Sequence, residues 1–184
     1  MGSDAALEDV FSDLIEALGA VPDAKGLKQT PQRAAKAFSS FTSGYAQKLE
    51  DVVRGAVFEE KNNDMILLKN VPFYSLCEHH LVPFFGQCHV AYIPDGRVMG
   101  LSRISDVVQL YSRRLQVQER LTDQIADALE ATLTPKGLGV VMEARHLCME
   151  LEERQSPSTT VTSCVRGSFR QRPETRAEFF SLIR

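Results

Sequence analysis

The sequence predicts an α+β domain with a mainly antiparallel sheet. Three observations carry that expectation. Apolar residues recur at helical spacing in the first third, strand-like alternation begins at Met65, and helical and strand patterns then follow one another without internal repeats or a low-complexity linker. The junction near Asn62-Asn63 divides an N-terminal helical region, residues 1–62, from the domain over residues 63–184.

Leu7, Val10, Phe11, Leu14, Ile15 and Leu18 lie on one face of an amphipathic helix that Gly19 and Pro22 end. A second helix starts at Thr30-Pro31, where Thr can cap and Pro suits the first turn, and runs through Phe38 towards Gly44. Arg33 and Lys36 near its start oppose the helix dipole, so they are either surface cations or face an anion. Met65–Leu68 and Val71–Tyr74 read as strands leading into Cys77, and Gln87–Ile93 alternates up to a turn at Pro94-Asp95-Gly96. Ser102 caps a helix through Val107, Val108, Leu110 and Tyr111, and a longer helix runs from about Gln118 to Leu133, ended by Pro135 and Gly137. Gly139–Ala144 reads as a buried strand with His146 and Cys148 at its end. Thr159–Phe169 forms another strand, and Pro173–Ile183 a closing helix.

A chain of 184 residues, 43% of them hydrophobic, can bury an ordinary core as one domain. Its net charge of -3 and the lack of a basic block argue against general nucleic-acid binding and for a small-molecule site. No apolar run approaches the roughly 20 residues that cross a bilayer, and the N-terminus lacks the layout of a signal peptide. The expected location is therefore the cytoplasm. In a reducing compartment Cys77, Cys88, Cys148 and Cys164 serve metal binding or burial before disulfides.

The strongest local signal is Cys77-Glu78-His79-His80 with His146-Leu147-Cys148 far downstream. The Cys-x-x-His spacing alone is weak, and the later His-x-Cys strengthens it. Cys77, His80 and Cys148 make a three-ligand zinc site with a fourth position open to water, as catalytic zinc requires. His79 and His146 then remain as imidazoles beside the metal, suited to moving protons near neutral pH or, more plainly, to supporting hydrogen bonds. His89, inside an alternating strand, reads as structural, and Cys88 and Cys164 as small buried apolar groups.

Longer stretches carry a resemblance. Thr30-Pro31-Gln32-Arg33, Phe73–His80, Val90–Pro94, Gly100-Leu101-Ser102, Arg113–Thr122, His146–Met149 and Thr160–Ser163 are similar, in order, to GTP cyclohydrolase I. The resemblance implies a tunnelling-fold subunit, with an N-terminal helical pair and an antiparallel sheet backed by two helices. It further implies a Zn2+ cofactor, a homodecamer with active sites at subunit interfaces, and a place in pterin biosynthesis. The implied reaction adds water at C8 of the guanine, opens the imidazole ring, releases formate and closes the ribose carbons into 7,8-dihydroneopterin triphosphate. His79 and His146 would carry protons. Glu119 would face the guanine with Gln118 beside it, and Ser102, Arg103, Arg33 and Lys36 would take the phosphates.

Two departures concern the anion end. Arg103 stands where lysine is usual, and Asp106 where the resemblance leads one to expect arginine. After Cys148 the chain reads Glu150-Leu151-Glu152-Glu153-Arg154, where a methionine and an arginine are usual. Three readings follow: a GTP enzyme with a rearranged phosphate pocket, an enzyme for a less phosphorylated or different purine, and a catalytically weak subunit that assembles with or regulates another. A structural zinc domain without catalysis would leave His79, His146 and Glu119 without a task.

Overall fold

The computed structural model describes residues 4–21, 26–151 and 158–184. It opens with α1 (Asp4–Ala17) and α2 (Thr30–Phe41), which pack against each other with Phe11 and Phe38 in contact, ring centroids 5.0 Å apart. Within one chain α1 buries no residue, and Val10, Leu14 and Leu18 stay exposed on the face expected to be covered. Pro31 sits in the first turn of α2 as expected, but the cap position falls on Gln29, and Thr30 makes no capping bond. Pro22, Glu152, Glu153 and Arg154 lie outside the described residues.

After the short α3 (Leu49–Val52) come β1 (Val57–Glu59), β2 (Ile66–Cys77), β3 (Pro83–Ile93) and β4 (Arg97–Met99). Strands β1 and β4 pair with each other as a small separate sheet. The two short strands expected before Cys77 are one strand, β2, interrupted by a register shift between Leu68 and Val71. Asn70 occupies that irregularity at φ 61, a left-handed conformation that asparagine tolerates better than most residues. The chain continues through α4 (Leu101–Ser112), β5 (Leu115–Gln116), α5 (Gln118–Leu133), β6 (Gly137–His146), α6 (Leu147–Glu150), β7 (Thr159–Gly167), α7 (Ser168–Gln171) and α8 (Pro173–Ile183). The larger sheet has the order β5-β2-β3-β6-β7, antiparallel throughout except for the β2–β5 pair. The α+β expectation, with a sheet backed by two helices and an N-terminal helical pair, holds.

Alternation decides which face is covered. Val71, Phe73, Phe84, Cys88, Val90, Tyr92, Leu138, Val140 and Met142 point to one side and meet α4 and α5 through Ile104, Val107, Val108, Leu121, Ile125 and Leu129, all buried. On the other side Ala91 and Val141 pack against Phe169 and Phe179 of α7 and α8. Each fully buried large apolar side chain contributes about 1.5–3 kcal/mol, so this layered core supplies the main stabilising term.

Element ends differ from expectation where backbone geometry outranks side-chain signals. Ser102 caps nothing: α4 starts at Leu101 behind Gly100. Helix α5 is stopped by Thr134, left-handed at φ 45, before Pro135 is reached. Strand β7 ends at Gly167, φ 53, a position only glycine suits, since a Cβ there would lie 2.3 Å from the Lys136 carbonyl oxygen. The chain then turns into α7 and delivers Phe169 to the second core. Gly86 of β3 is constrained by closeness alone: a Cβ would fall 1.8 Å from the Glu143 carbonyl oxygen of β6.

Cys88 is fully buried, and burial pushes its thiol well above the ordinary range. Cys164 is half-buried against the same core. His89 is buried, and its Nδ1 accepts the Asn70 N–H at 3.3 Å, so the imidazole closes the β2 irregularity. No described helix is long and apolar enough to cross a membrane.

Candidate metal centre and active site

Strand β2 ends at Cys77, and the chain must reverse within five residues to enter β3. The Cys77 N–H donates to the Val82 carbonyl at 2.9 Å and the Leu81 N–H to the Cys77 carbonyl at 2.8 Å, with Leu81 left-handed at φ 56. This tight loop folds His79 and His80 back over the thiol: their Nδ1 atoms lie 3.8 and 3.9 Å from Cys77 Sγ. From the other direction, the β3–β6 register sets His146 opposite Phe84. The chain then turns into α6, so Cys148 lies on a helical turn and not at a strand end.

The donor atoms of Cys77, His80 and Cys148 lie within 4.8 Å of one another. Zinc–sulfur bonds near 2.3 Å and zinc–nitrogen bonds near 2.0–2.1 Å at tetrahedral angles place such donors about 3.5–3.8 Å apart, so the cluster suits a metal with small adjustments. Burial, then the neighbouring Cys77 thiol, push Cys148 above its ordinary value. Two adjacent thiolates repel, and a divalent cation between them removes that penalty. Cys77 is buried, Cys148 half-buried and His80 exposed, which leaves the cluster open on one side.

His146 is the best-defined imidazole. It stacks on Phe84 and its Nε2 lies 2.7 Å from Gln118 Oε1. Burial lowers its pKa, and the charge of Glu119 opposes that shift in part. Glu119 is exposed in the first turn of α5, where the helix dipole favours a carboxylate. Gln118, beside it, is only 1% exposed, with its amide engaged inside the protein. His79 is exposed at the rim.

One pair escaped sequence reasoning. Arg120 donates two hydrogen bonds to the Glu78 carboxylate, at 2.6 and 2.8 Å, which hold that carboxyl below its usual range. The Glu78 N–H also donates to the Gln116 carbonyl at 3.0 Å. Together they fasten the metal loop to the start of α5. Phe84, on which His146 stacks, was missed too. Opposite charge at positions 78 and 120 is a signal, but nothing in the spacing links residues 42 apart.

The anion end stands apart in its bonding. Ser102 and Arg103 are exposed at the start of α4, and Arg103 Nη1 donates to Asp106 Oδ2 at 3.0 Å. Arg33 donates to Gln29 Oε1 at 2.6 Å, and Lys36 is exposed on the same helix.

Comparison with known proteins finds similarity over most of the chain. The profile of the family described as GTP cyclohydrolase I matches residues 7–184. A GTP cyclohydrolase 1 of Synechococcus sp. is 52% identical over 182 residues, spanning 98% of this chain and 80% of the relative. One of Campylobacter jejuni is 51% identical over 177 residues, 96% of this chain and 93% of the relative. One of Methylococcus capsulatus is 50% identical over 181 residues, 97% of each.

Proposed function

The chain belongs to the GTP cyclohydrolase I family and is a hydrolase of that type, and on that premise we propose how its own residues open the guanine imidazole ring of GTP to give formate and 7,8-dihydroneopterin triphosphate. Cys77, His80 and Cys148 would hold zinc, which when bound would supply Lewis acidity for activating water near neutral pH. His146 and His79 hold and move protons at the guanine. Glu119 accepts hydrogen bonds from the ring N–H and exocyclic amine of the base, a task for which a carboxylate's paired oxygens are suited. Ser102, Arg103, Arg33 and Lys36 bind the phosphates. Glu78 and Arg120 keep the metal loop and the Glu119 helix in one frame, which limits the misplacement that costs rate.

The observation that carries this reading is the convergence of three donor atoms within 4.8 Å, with His79 Nδ1 3.8 Å from Cys77 Sγ, in a chain matched by the family over residues 7–184. Val10 and Leu14 on α1 and Leu18 just past its end, all exposed, support a homo-oligomer, a decamer by resemblance, because an apolar stripe of this kind calls for a cover. Four free cysteines support a cytoplasmic setting.

The test is incubation of the zinc-loaded protein with GTP, following formate release and pterin fluorescence. Formate and pterin should appear together. A loaded protein that yields neither would overturn the reading. The Arg103–Asp106 pair supports a second one, in which a purine with fewer phosphates is preferred, and parallel incubations with GDP and GMP decide between them.

A further inference from the structure

Gln118 opens α5 at 1% exposure, and a primary amide buried to that degree is costly unless its donors and acceptor are all matched. The matching here has only one possible direction. Thr122 Oγ1 lies 2.8 Å from the Gln118 carbonyl oxygen, which can only accept, so the single hydroxyl proton of Thr122 is spent there. Thr122 and Thr162 hydroxyls are 2.6 Å apart, and Thr162 must therefore be the donor between them. With its proton committed, Thr162 Oγ1 accepts from Gln118 Nε2 at 3.2 Å.

The same nitrogen has the Met142 carbonyl at 3.1 Å and the Thr160 carbonyl at 3.0 Å. Three acceptors around one end of the amide fix which end is NH₂, since a flipped amide would set its oxygen against two carbonyl oxygens. Oε1 is left facing His146 Nε2 at 2.7 Å, and that contact needs a proton from the imidazole. The stack on Phe84 fixes the ring plane.

From this chain of donors we infer that Gln118 is a positioning residue that orients the His146 ring with Nε2–H as its donor and so leaves the imidazole lone pair on Nδ1. The inference rests on the reading of His146 as a proton carrier, and it moves Gln118 from contact with the substrate to support of the imidazole. The peptide carbonyls of β6 and β7 thereby set which nitrogen does the chemistry.

Solid-state NMR of the zinc-loaded protein labelled with ¹⁵N-histidine tests the tautomer directly. Only His79, His80, His89 and His146 contribute, and a His146→Asn sample assigns the last. His146 should show a protonated Nε2 and an unprotonated Nδ1. The opposite pattern would overturn the inference even if no variant folds. In Gln118→Met the pattern should become mixed, with kcat on GTP falling about 10²-fold and KM little changed. A rise in KM with kcat preserved would return Gln118 to the substrate and sink the proposal. Normal turnover in His146→Ala with an intact Nε2–H signal in the parent would instead remove the proton-carrier reading and leave the tautomer assignment standing.

Discussion

His146 lies flat against Phe84, ring centroids 4.8 Å apart and planes 2° from parallel. The two are cross-strand partners in the β3–β6 register, and Phe84 is fully buried, so the imidazole rests on a part of the core that cannot move. Phe84→Ala should cost about 3–5 kcal/mol in urea unfolding. Phe84→Leu should stay folded and keep its metal yet lose kcat several-fold, because a branched aliphatic side chain gives the ring no flat support. Unchanged kcat in the leucine variant would show that the stack serves packing only.

Metal content should follow the cysteine pair. After dialysis against a chelator, Cys148→Ser should lose zinc that the parent keeps, as read by metal analysis. Since thiolates bind and thiols do not, lowering the pH should weaken zinc in the parent as well. Full retention by the serine variant would remove Cys148 from the site.

Arg103 is engaged by Asp106 one turn along α4, both partners about half exposed. Exposed pairs of this kind are worth about 0.2–1 kcal/mol, so the tether can be broken cheaply. Asp106→Asn should leave the melting temperature almost unchanged and lower KM for GTP a few-fold, with a smaller effect for GMP. An equal change for both nucleotides would mean that Arg103 does not meet the phosphates.

Acid sensitivity should trace in part to His89. Burial disfavours its charged form, with Glu143 opposing and Lys69 adding to the shift, so its folded pKa lies below the ordinary value of about 6.5. The unfolded chain takes up this proton first as the pH falls. The stability that neutral His89 provides is thus complete above about pH 6.5 and is lost below it, until the folded pKa is passed. His89→Asn keeps an acceptor for the Asn70 N–H but cannot be protonated. It should be less stable at pH 7.5 through lost packing, yet show a shallower decline in melting temperature towards pH 5.5. An identical slope in both proteins would exclude His89 as a contributor.

Much of this was legible in the sequence, for identifiable reasons. Helix α5 carries a period-3.6 pattern, and its expected span from about Gln118 to Leu133 is the observed one; strand β3 keeps the expected end at Ile93 but starts at Pro83, four residues before Gln87, where it pairs with the end of β2. The convergence of Cys77, His80 and Cys148 was legible because cysteine and histidine in close succession are chemically distinctive. Element ends were not: Thr30 and Ser102 look like caps, but capping depends on the backbone angle at the preceding residue, which composition does not reveal. The Gln118 circuit was hidden for a different reason. Its partners come from β6, β7 and the second turn of α5, and only the sheet register brings Thr160, Thr162 and Met142 to one amide.

The spacing at Gly86 has a consequence for how damage to this enzyme would look. Residue 86 carries no functional group, and Ala144 and His146 follow directly along the partner strand at the place where a Cβ would intrude. A methyl group there would push β3 away from β6 two residues before the imidazole and tilt it off its phenyl rest. An inherited alanine at this position would look, in an assay of turnover, like a substitution of His146, while His146 itself and the Cys77, His80 and Cys148 side chains remained chemically whole.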